Sequence, residues 1–191
     1  LKLRIKIYPW YTNWEKIIRN VQDNGPGDEW LRWDGIKGMM DGSLGSRTAW
    51  MHKPYLADPF SSEKENMATV GIITLRDTTE FKHILRETDK ANIQHAVHAI
   101  GDRANDWILD EFALIKGEFG QKDRRCRIEH AQHLSRAAVP RFAAENIIQV
   151  GILDIKMGYF VPTMETQRDW ENRAEREEFN PDLLIEKEAD A

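Results

Sequence analysis

Six histidines occur in the 191 residues, at positions 52, 83, 95, 98, 130 and 133. Two of them stand where parallel α/β folds place their chemistry. His98 precedes Ala99-Ile100-Gly101-Asp102 at the end of one strand-like run, and His130 closes the next, Cys126-Arg127-Ile128-Glu129-His130. Side chains at the C-terminal ends of parallel strands face the mouth where active sites form. Imidazoles on neighbouring strands can converge on one cation, and imidazole suits zinc and related divalent ions. The spacings His95-x-x-His98 and His130-x-x-His133 do not make ligand pairs on a strand, because facing alternates with period two. If His98 points inward, His95 points toward a covering helix, and His133 falls in the following loop, beside the site or in solvent. Read from the residues alone, His98 and His130 stay open as metal ligands or as ordinary histidines. For His52, His83 and His95 the ordinary reading prevails.

Lys37 is the third candidate. It follows Gly35-Ile36 in a run expected to be buried on both faces. A buried lysine is costly as an ammonium, so its pKa falls and its neutral amine becomes reactive. One use of such an amine is reaction with carbon dioxide, giving a carbamate that can bridge two metals. The alternative is a lysine that reaches the mouth or pairs with Asp41 or Asp34.

The elements that must position these residues can be read from periodicity. Leu1–Tyr8 alternates apolar and basic residues, as a half-exposed strand does. Thr12-Asn13-Trp14-Glu15 has capping-box spacing, and Trp14, Ile17, Ile18 and Val21 share one helical face. Asn24-Gly25-Pro26-Gly27 stops that helix. A short strand follows over Gly35–Met40, then a long loop, 41–70, of the kind that often carries function. Asp77-Thr78-Thr79-Glu80 predicts a capped helix start, with Phe81, Ile84 and Leu85 as the buried stripe and Asn92 at its end. Ile93–Ile100 predicts a strand, with Asp102 capping a helix faced by Ile108, Phe112 and Ile115. Cys126–His130 predicts a strand, Ser135–Glu145 a helix with Pro140 in its first turn, and Ile147–Ile152 a last strand. Strands separated by helices imply parallel pairing. The fold class is α/β: a barrel wall or an open doubly wound sheet. Five strands cannot close an eight-stranded barrel, and no Gly-x-Gly-x-x-Gly follows a strand to support dinucleotide binding.

Composition narrows the function classes. Hydrophobic residues make up 41% and charged residues 31%, an ordinary globular balance. The formal net charge of -5 argues against nucleic acid as partner. No apolar run approaches a membrane span. Cys126 is the single cysteine, which excludes an intramolecular disulfide and a cysteine-based metal site. With no signal-type segment in view, the expected location is cytoplasmic. The opening on Leu1, directly in a strand-like run, reads as a fragment. The organisation expected is a partial barrel domain over 1–152 and a divergent charged segment over 153–191.

Three motifs in fixed order sharpen the reading: Gly35-Ile36-Lys37 leading into Asp41-Gly42-Ser43-Leu44-Gly45-Ser46-Arg47-Thr48-Ala49, then His98-Ala99-Ile100-Gly101-Asp102-Arg103-Ala104, then Arg127-Ile128-Glu129-His130-Ala131-Gln132. The set resembles the YtcJ-like branch of the amidohydrolase superfamily, which includes N-substituted formamide deformylases. Pro54-Tyr55, Gly71 and Pro140-Arg141-Phe142 agree with it, and the match extends over most of Leu1–Gln149. The resemblance implies a (β/α)₈ TIM barrel, of which this chain carries about strands three to seven. It implies one or two divalent cations, zinc above all, at the C-terminal mouth. Lys37 then matches the fourth-strand ligand as a candidate carbamate, His98 the fifth-strand histidine and His130 the sixth. Asp41, Ser43 and Arg47 fall in motif positions that would shape the mouth and meet the substrate. Arg47 and Asp102 are the candidate catalytic residues. The implied reaction is metal-assisted hydrolysis of a non-peptide carbon–nitrogen bond in a small amide-like substrate. The first-strand His-x-His and eighth-strand aspartate of the pattern do not appear in these residues, and after Gln149 the chain departs from it. Homo-oligomerisation or complementing barrel strands would then complete the wall. The rival reading is a degenerate, non-catalytic barrel piece that binds a metal or a protein partner.

Overall fold

The computed structural model describes residues 3–56 and 68–151. The segment 153–191, read above as divergent and charged, lies outside the described residues. In chain order the elements are β1 (Ile5–Ile7), a 3₁₀ turn (Tyr11–Asn13), α1 (Trp14–Asn24), β2 (Leu31–Trp33), β3 (Gly35–Met39), α2 (Thr78–Lys90), β4 (Gln94–Ala99), α3 (Asp102–Phe119), β5 (Arg127–His130), α4 (Ala138–Ala144) and β6 (Ile148–Gly151).

Among the described residues the named strands pair in parallel. β3, β4, β5 and β6 form one sheet in that order, and β1 pairs with β2. β2 was not foreseen as a strand. It runs into β3 through Asp34 alone, and the two behave as one kinked strand: β1 and the residues after it pair along both, through Asp34 N–H to Ile7 O (3.0 Å) and Lys37 N–H to Pro9 O (2.7 Å). Ile7 stands opposite Trp33, and Trp10 opposite Lys37. The first segment advances three residues between those points and the second four, so Asp34 sits in a parallel bulge. One extra residue reverses which side of the sheet alternate side chains face.

The helices take one side of the β3–β6 sheet. Phe81, Ile84 and Leu85 of α2, Ile108, Phe112 and Ile115 of α3, and Ala138 and Phe142 of α4 are buried in one cluster with Ile36, Val97 and Ile128 of the strands. Burying a phenylalanine such as Phe81 contributes about 2–3 kcal/mol. Gly38 is where that ring lands: a Cβ there would stand 2.8 Å from Phe81 Cζ. A doubly wound sheet carries helices on both faces. Here the opposite face holds Lys37, Met39, His98, Arg127, Glu129, Ile148 and Val150, with Ile148 and Val150 still 44% and 38% exposed.

Local chemistry explains the helix ends, with three corrections. Asp77 caps α2 as expected, its carboxylate accepting from Thr79 N–H (2.7 Å) and Glu80 N–H (3.2 Å). The capping box at Thr12 does not form: the 3₁₀ turn occupies Tyr11–Asn13, and Asn13 precedes α1 with no side-chain cap bond. Asp102 is the first residue of α3, not its cap; Gly101 holds the extended cap position. Pro140 is the third residue of α4, which starts at Ala138 rather than at Ser135. Asn92 and Asn146, just beyond α2 and α4, take left-handed φ values of 56° and 55°, which asparagine tolerates.

His95 shows what the sheet's other side does with a histidine. It faces the helices, 1% exposed, its Nε2 2.8 Å from Thr88 Oγ1 and its ring stacked on Phe112 at 5.8 Å. Burial drops its pKa to about 4 from an ordinary 6.5. The unfolded chain therefore binds the extra proton between those values, and the native state loses stability as pH falls through that window. We expect unfolding free energy to be about 2 kcal/mol lower at pH 5 than at pH 7.5 on account of this residue. Urea titrations of the protein and of His95→Gln check this; an identical pH slope in the two would contradict it.

Candidate functional site

His98 and Glu129 stand in register on β4 and β5, and one step on His130 stands opposite Ala99. Strict alternation would send His130 to the helix side with Ala99. The backbone prevents this. His130 has φ 74° and Ala131 φ 40°, left-handed values uncommon for residues with a Cβ. That twist brings the His130 ring to 4.6 Å from the His98 ring, with planes at 70°. Such conformations cost about 1–3 kcal/mol each and need surrounding structure to hold them. The holding bonds are Ala131 N–H to Ala99 O (3.0 Å) and His133 N–H to Ile100 O (2.9 Å). His133 itself is buried, 5% exposed, so the solvent reading of it is corrected.

His98 is tied on its other side. Its Nε2–H donates to Gly42 O at 2.9 Å and lies 3.4 Å from Asp41 Oδ1. Both neighbours are acceptors, so the neutral ring carries its proton on Nε2 and leaves the Nδ1 lone pair open. Metal-binding histidines are oriented this way, by a carbonyl or carboxylate on the second nitrogen. Loss of solvent, then the charges of His98 and Lys37, hold His130 below the usual imidazole range, which also keeps a lone pair available.

Lys37 shares this face, and its partner is neither Asp41 nor Asp34. Its Nζ lies 3.5 Å from Glu129 Oε2. Burial lowers its pKa, against the opposing pull of Glu129. Glu129 Oε1 lies 2.6 Å from Arg127 Nε, and the Arg127 guanidinium sits 4.3 Å over the Tyr8 ring. Tyr8 Oη in turn is 2.9 Å from Asp34 Oδ2 and 2.6 Å from Gln94 Oε1. Sequence reasoning missed Glu129, Arg127 and Tyr8. The signal lay in the alternation of Arg127-Ile128-Glu129, which puts both charged residues on the face that His98 occupies.

The loop motif is placed differently from its expected roles. Asp41 is fully buried, and its carboxylate accepts from Ile100 N–H (3.0 Å), Gly101 N–H (2.8 Å) and Trp50 N–H (2.9 Å), leaving nothing for a substrate. Ser43 is exposed on a tight turn, its Oγ 2.8 Å from Ser46 Oγ. Arg47 sits in that turn with φ 55°. Asp102 is 8% exposed and accepts from His52 N–H (2.8 Å) and Arg103 N–H (2.7 Å), so it holds the loop to α3. His52 Nε2 reinforces that hold at 2.8 Å from Asp106 Oδ2. Gly101 is required where the loop crosses it: a Cβ there would stand 2.1 Å from Trp50 O.

The donors present fit a divalent cation in part. Two imidazole rings meet at 4.6 Å between centroids, and Lys37 could join them as an amine or a carbamate. Among the described residues no group of three or more His, Cys, Asp or Glu side chains is placed to hold a metal. A cavity of about 630 Å³ lies between Lys6, Arg32, Asp34, Asp89 and Arg124, around the strand starts. Its acids and bases pair with one another, so it does not mark the chemistry.

Comparison with known proteins supplies the class. The model of the amidohydrolase family matches residues 7–152. "Protein LONG AFTER FAR-RED 3" of Arabidopsis thaliana is 36% identical over 138 residues, 72% of this chain and 22% of its own length. "Putative amidohydrolase YtcJ" of Bacillus subtilis is 29% identical over 130 residues, 68% of this chain and 21% of its own. Among solved structures, an uncharacterized metal-dependent hydrolase from Pyrococcus furiosus superposes with TM-score 0.60 at 27% identity, over 78% of this chain and 28% of that one. Its counterpart from Pyrococcus horikoshii gives 0.58 at 27% identity, over 76% and 27%. A parallel α/β wall with paired imidazoles at its strand ends thus has metal-dependent hydrolases as structural neighbours. The chain belongs to the amidohydrolase family and is YtcJ-like. It spans about a fifth of the length of the curated relatives it matches. No helix among the described residues is long and apolar enough to cross a membrane.

The ion pair makes a directional prediction for Lys37. Glu129 favours the ammonium form, so Glu129→Gln should move the Lys37 titration to lower pH. The ¹³Cε shift of that lysine, followed by NMR against pH, reads this out; an unchanged or higher midpoint would refute the pairing.

Proposed function

We propose that this chain forms about the third to seventh strands of a (β/α)₈ barrel in a metal-dependent hydrolase that cleaves non-peptide carbon–nitrogen bonds of amide type. The supporting observation is the His98–His130 pair, assembled at the ends of adjacent parallel strands by a left-handed backbone, with His98 tied through Nε2. The one-sided helix layer supports the barrel, since barrel walls are covered on the outside alone.

In this reading His98 and His130 hold a zinc-type divalent cation, with Lys37 as third donor through its neutral amine or a carbamate. When bound, the cation supplies Lewis acidity, polarising the scissile carbonyl and lowering the pKa of water. This chain's residues do the rest by placement. Glu129 fixes the Lys37 amine. Arg47 and Ser43, on the exposed turn, meet the small amide-like substrate from above. Asp102 and Asp41 keep that turn seated over the strand ends. The remaining barrel strands complete the donor set, as part of a longer polypeptide or from a second copy.

A second reading has one observation in its favour. The described residues alone assemble two imidazoles and no third His, Cys, Asp or Glu donor. A non-catalytic barrel piece that binds a metal or a protein partner needs no more.

The test uses the longest open reading frame that contains this chain. Elemental analysis after brief chelator treatment should find a retained divalent cation, with amide hydrolysis in parallel. His98→Ala or His130→Ala should each abolish both, whereas His83→Ala, on the exposed side of α2, should change neither. Full hydrolysis by His98→Ala would sink the assignment. Retained metal without hydrolysis of any amide, cyclic urea or formamide tested would favour the second reading.

A further inference from the structure

Asp41 falls in the motif as a candidate for the substrate, yet the fold spends it elsewhere. Its Oδ2 accepts from Trp50 N–H and Gly101 N–H, and its Oδ1 accepts from Ile100 N–H while standing 3.4 Å from His98 Nε2. The next residue presents the carbonyl to which His98 Nε2–H donates at 2.9 Å. Gly42 is itself fixed by its N–H on Thr48 O at 3.1 Å. One fully buried side chain therefore touches the Ser43–Trp50 loop, the turn after β4 and the imidazole between them. A carboxylate with no exposed area keeps its charge only if its lone pairs are filled. The ring nitrogen facing it must be a donor.

We propose that Asp41 is the positioning residue of this site. With Gly42 O it locks His98 as the Nε2–H tautomer, and it makes the orientation of that ring depend on the seating of the Ser43–Trp50 loop. The inference rests on the reading of His98 as a metal ligand for its consequence, and on the hydrogen-bond geometry alone for its substance. Asp41 acts through His98 and touches no substrate.

The test needs neither activity nor a loaded site. In ¹⁵N-histidine-labelled protein at pH 8, the two ring nitrogens of a neutral imidazole give separate signals with distinct coupling patterns. His98 should appear as one tautomer with its proton on Nε2. Asp41→Asn should turn it into a mixture and weaken cobalt(II) binding, measured by equilibrium dialysis of cobalt chloride, by about 10–100-fold. Asp41→Ser, which keeps an acceptor for the loop but no carboxylate, is the second variant should Asp41→Asn not fold. A proton on Nδ1 in the unaltered protein overturns the proposal outright. So does a folded Asp41 variant with the original tautomer and cobalt affinity, and cobalt binding that His98→Ala abolishes would leave the metal reading standing in that case. A locked tautomer that Asp41→Asn scrambles, in a protein that takes up no cobalt, supports the positioning role while removing the metal reading.

Discussion

The rest of the site depends on the filling of one dry carboxylate. Asp41 places a carboxyl group where water does not reach, and only hydrogen-bond donors fixed in place can offset the loss of hydration. The donors come from two stretches distant in sequence, Trp50 in the loop after β3 and Ile100–Gly101 after β4. Satisfying the carboxyl group therefore requires those stretches to converge, and their convergence sets the end of β4 against the loop that covers it. Gly101 is the steric counterpart of this demand. Any side chain there would collide with the Trp50 carbonyl, so the loop could not descend far enough to donate.

A second constraint divides the sheet into two environments. On the helix side, apolar packing tolerates a histidine only as a neutral, hydrogen-bonded ring, which is the state of His95 between Thr88 and Phe112. On the other side, charges are admitted but must be paired. Lys37, Glu129 and Arg127 form one chain of contacts that ends on the Tyr8 ring. The face that carries the candidate site is thus wired laterally, strand to strand, whereas the other face is packed vertically against helices.

Much of the fold was legible in the sequence because period and caps coincide. The Asp77 cap, the Phe81-Ile84-Leu85 stripe and the Asn92 stop agree on α2, and the structure follows them. What escaped were features that break a period. β2 is three residues long and reads as neither strand nor helix, and the bulge at Asp34 breaks the register between its pairing with β1 and the Trp10–Lys37 pairing further on. The site was legible as residue types at strand ends, not as geometry. Alternation would have sent His130 to the wrong face, and nothing in a string of letters announces a left-handed histidine. Charge partners were misjudged for the same reason: Asp41 and Asp34 are close to Lys37 in sequence, while Glu129 is close only across two parallel strands.

The bulge at Asp34 also bears on which changes in chain length this strand can absorb. Between the pairings of Ile7 with Trp33 and Trp10 with Lys37 the first segment advances three residues and the second four. Deleting one residue at the bulge would make the two counts equal and leave Trp33 and Lys37 facing as their partners do. A second deletion would turn Leu31 and Trp33 to the opposite face. The strand thus carries one spare residue, and it can lose that residue where a regular strand would change phase.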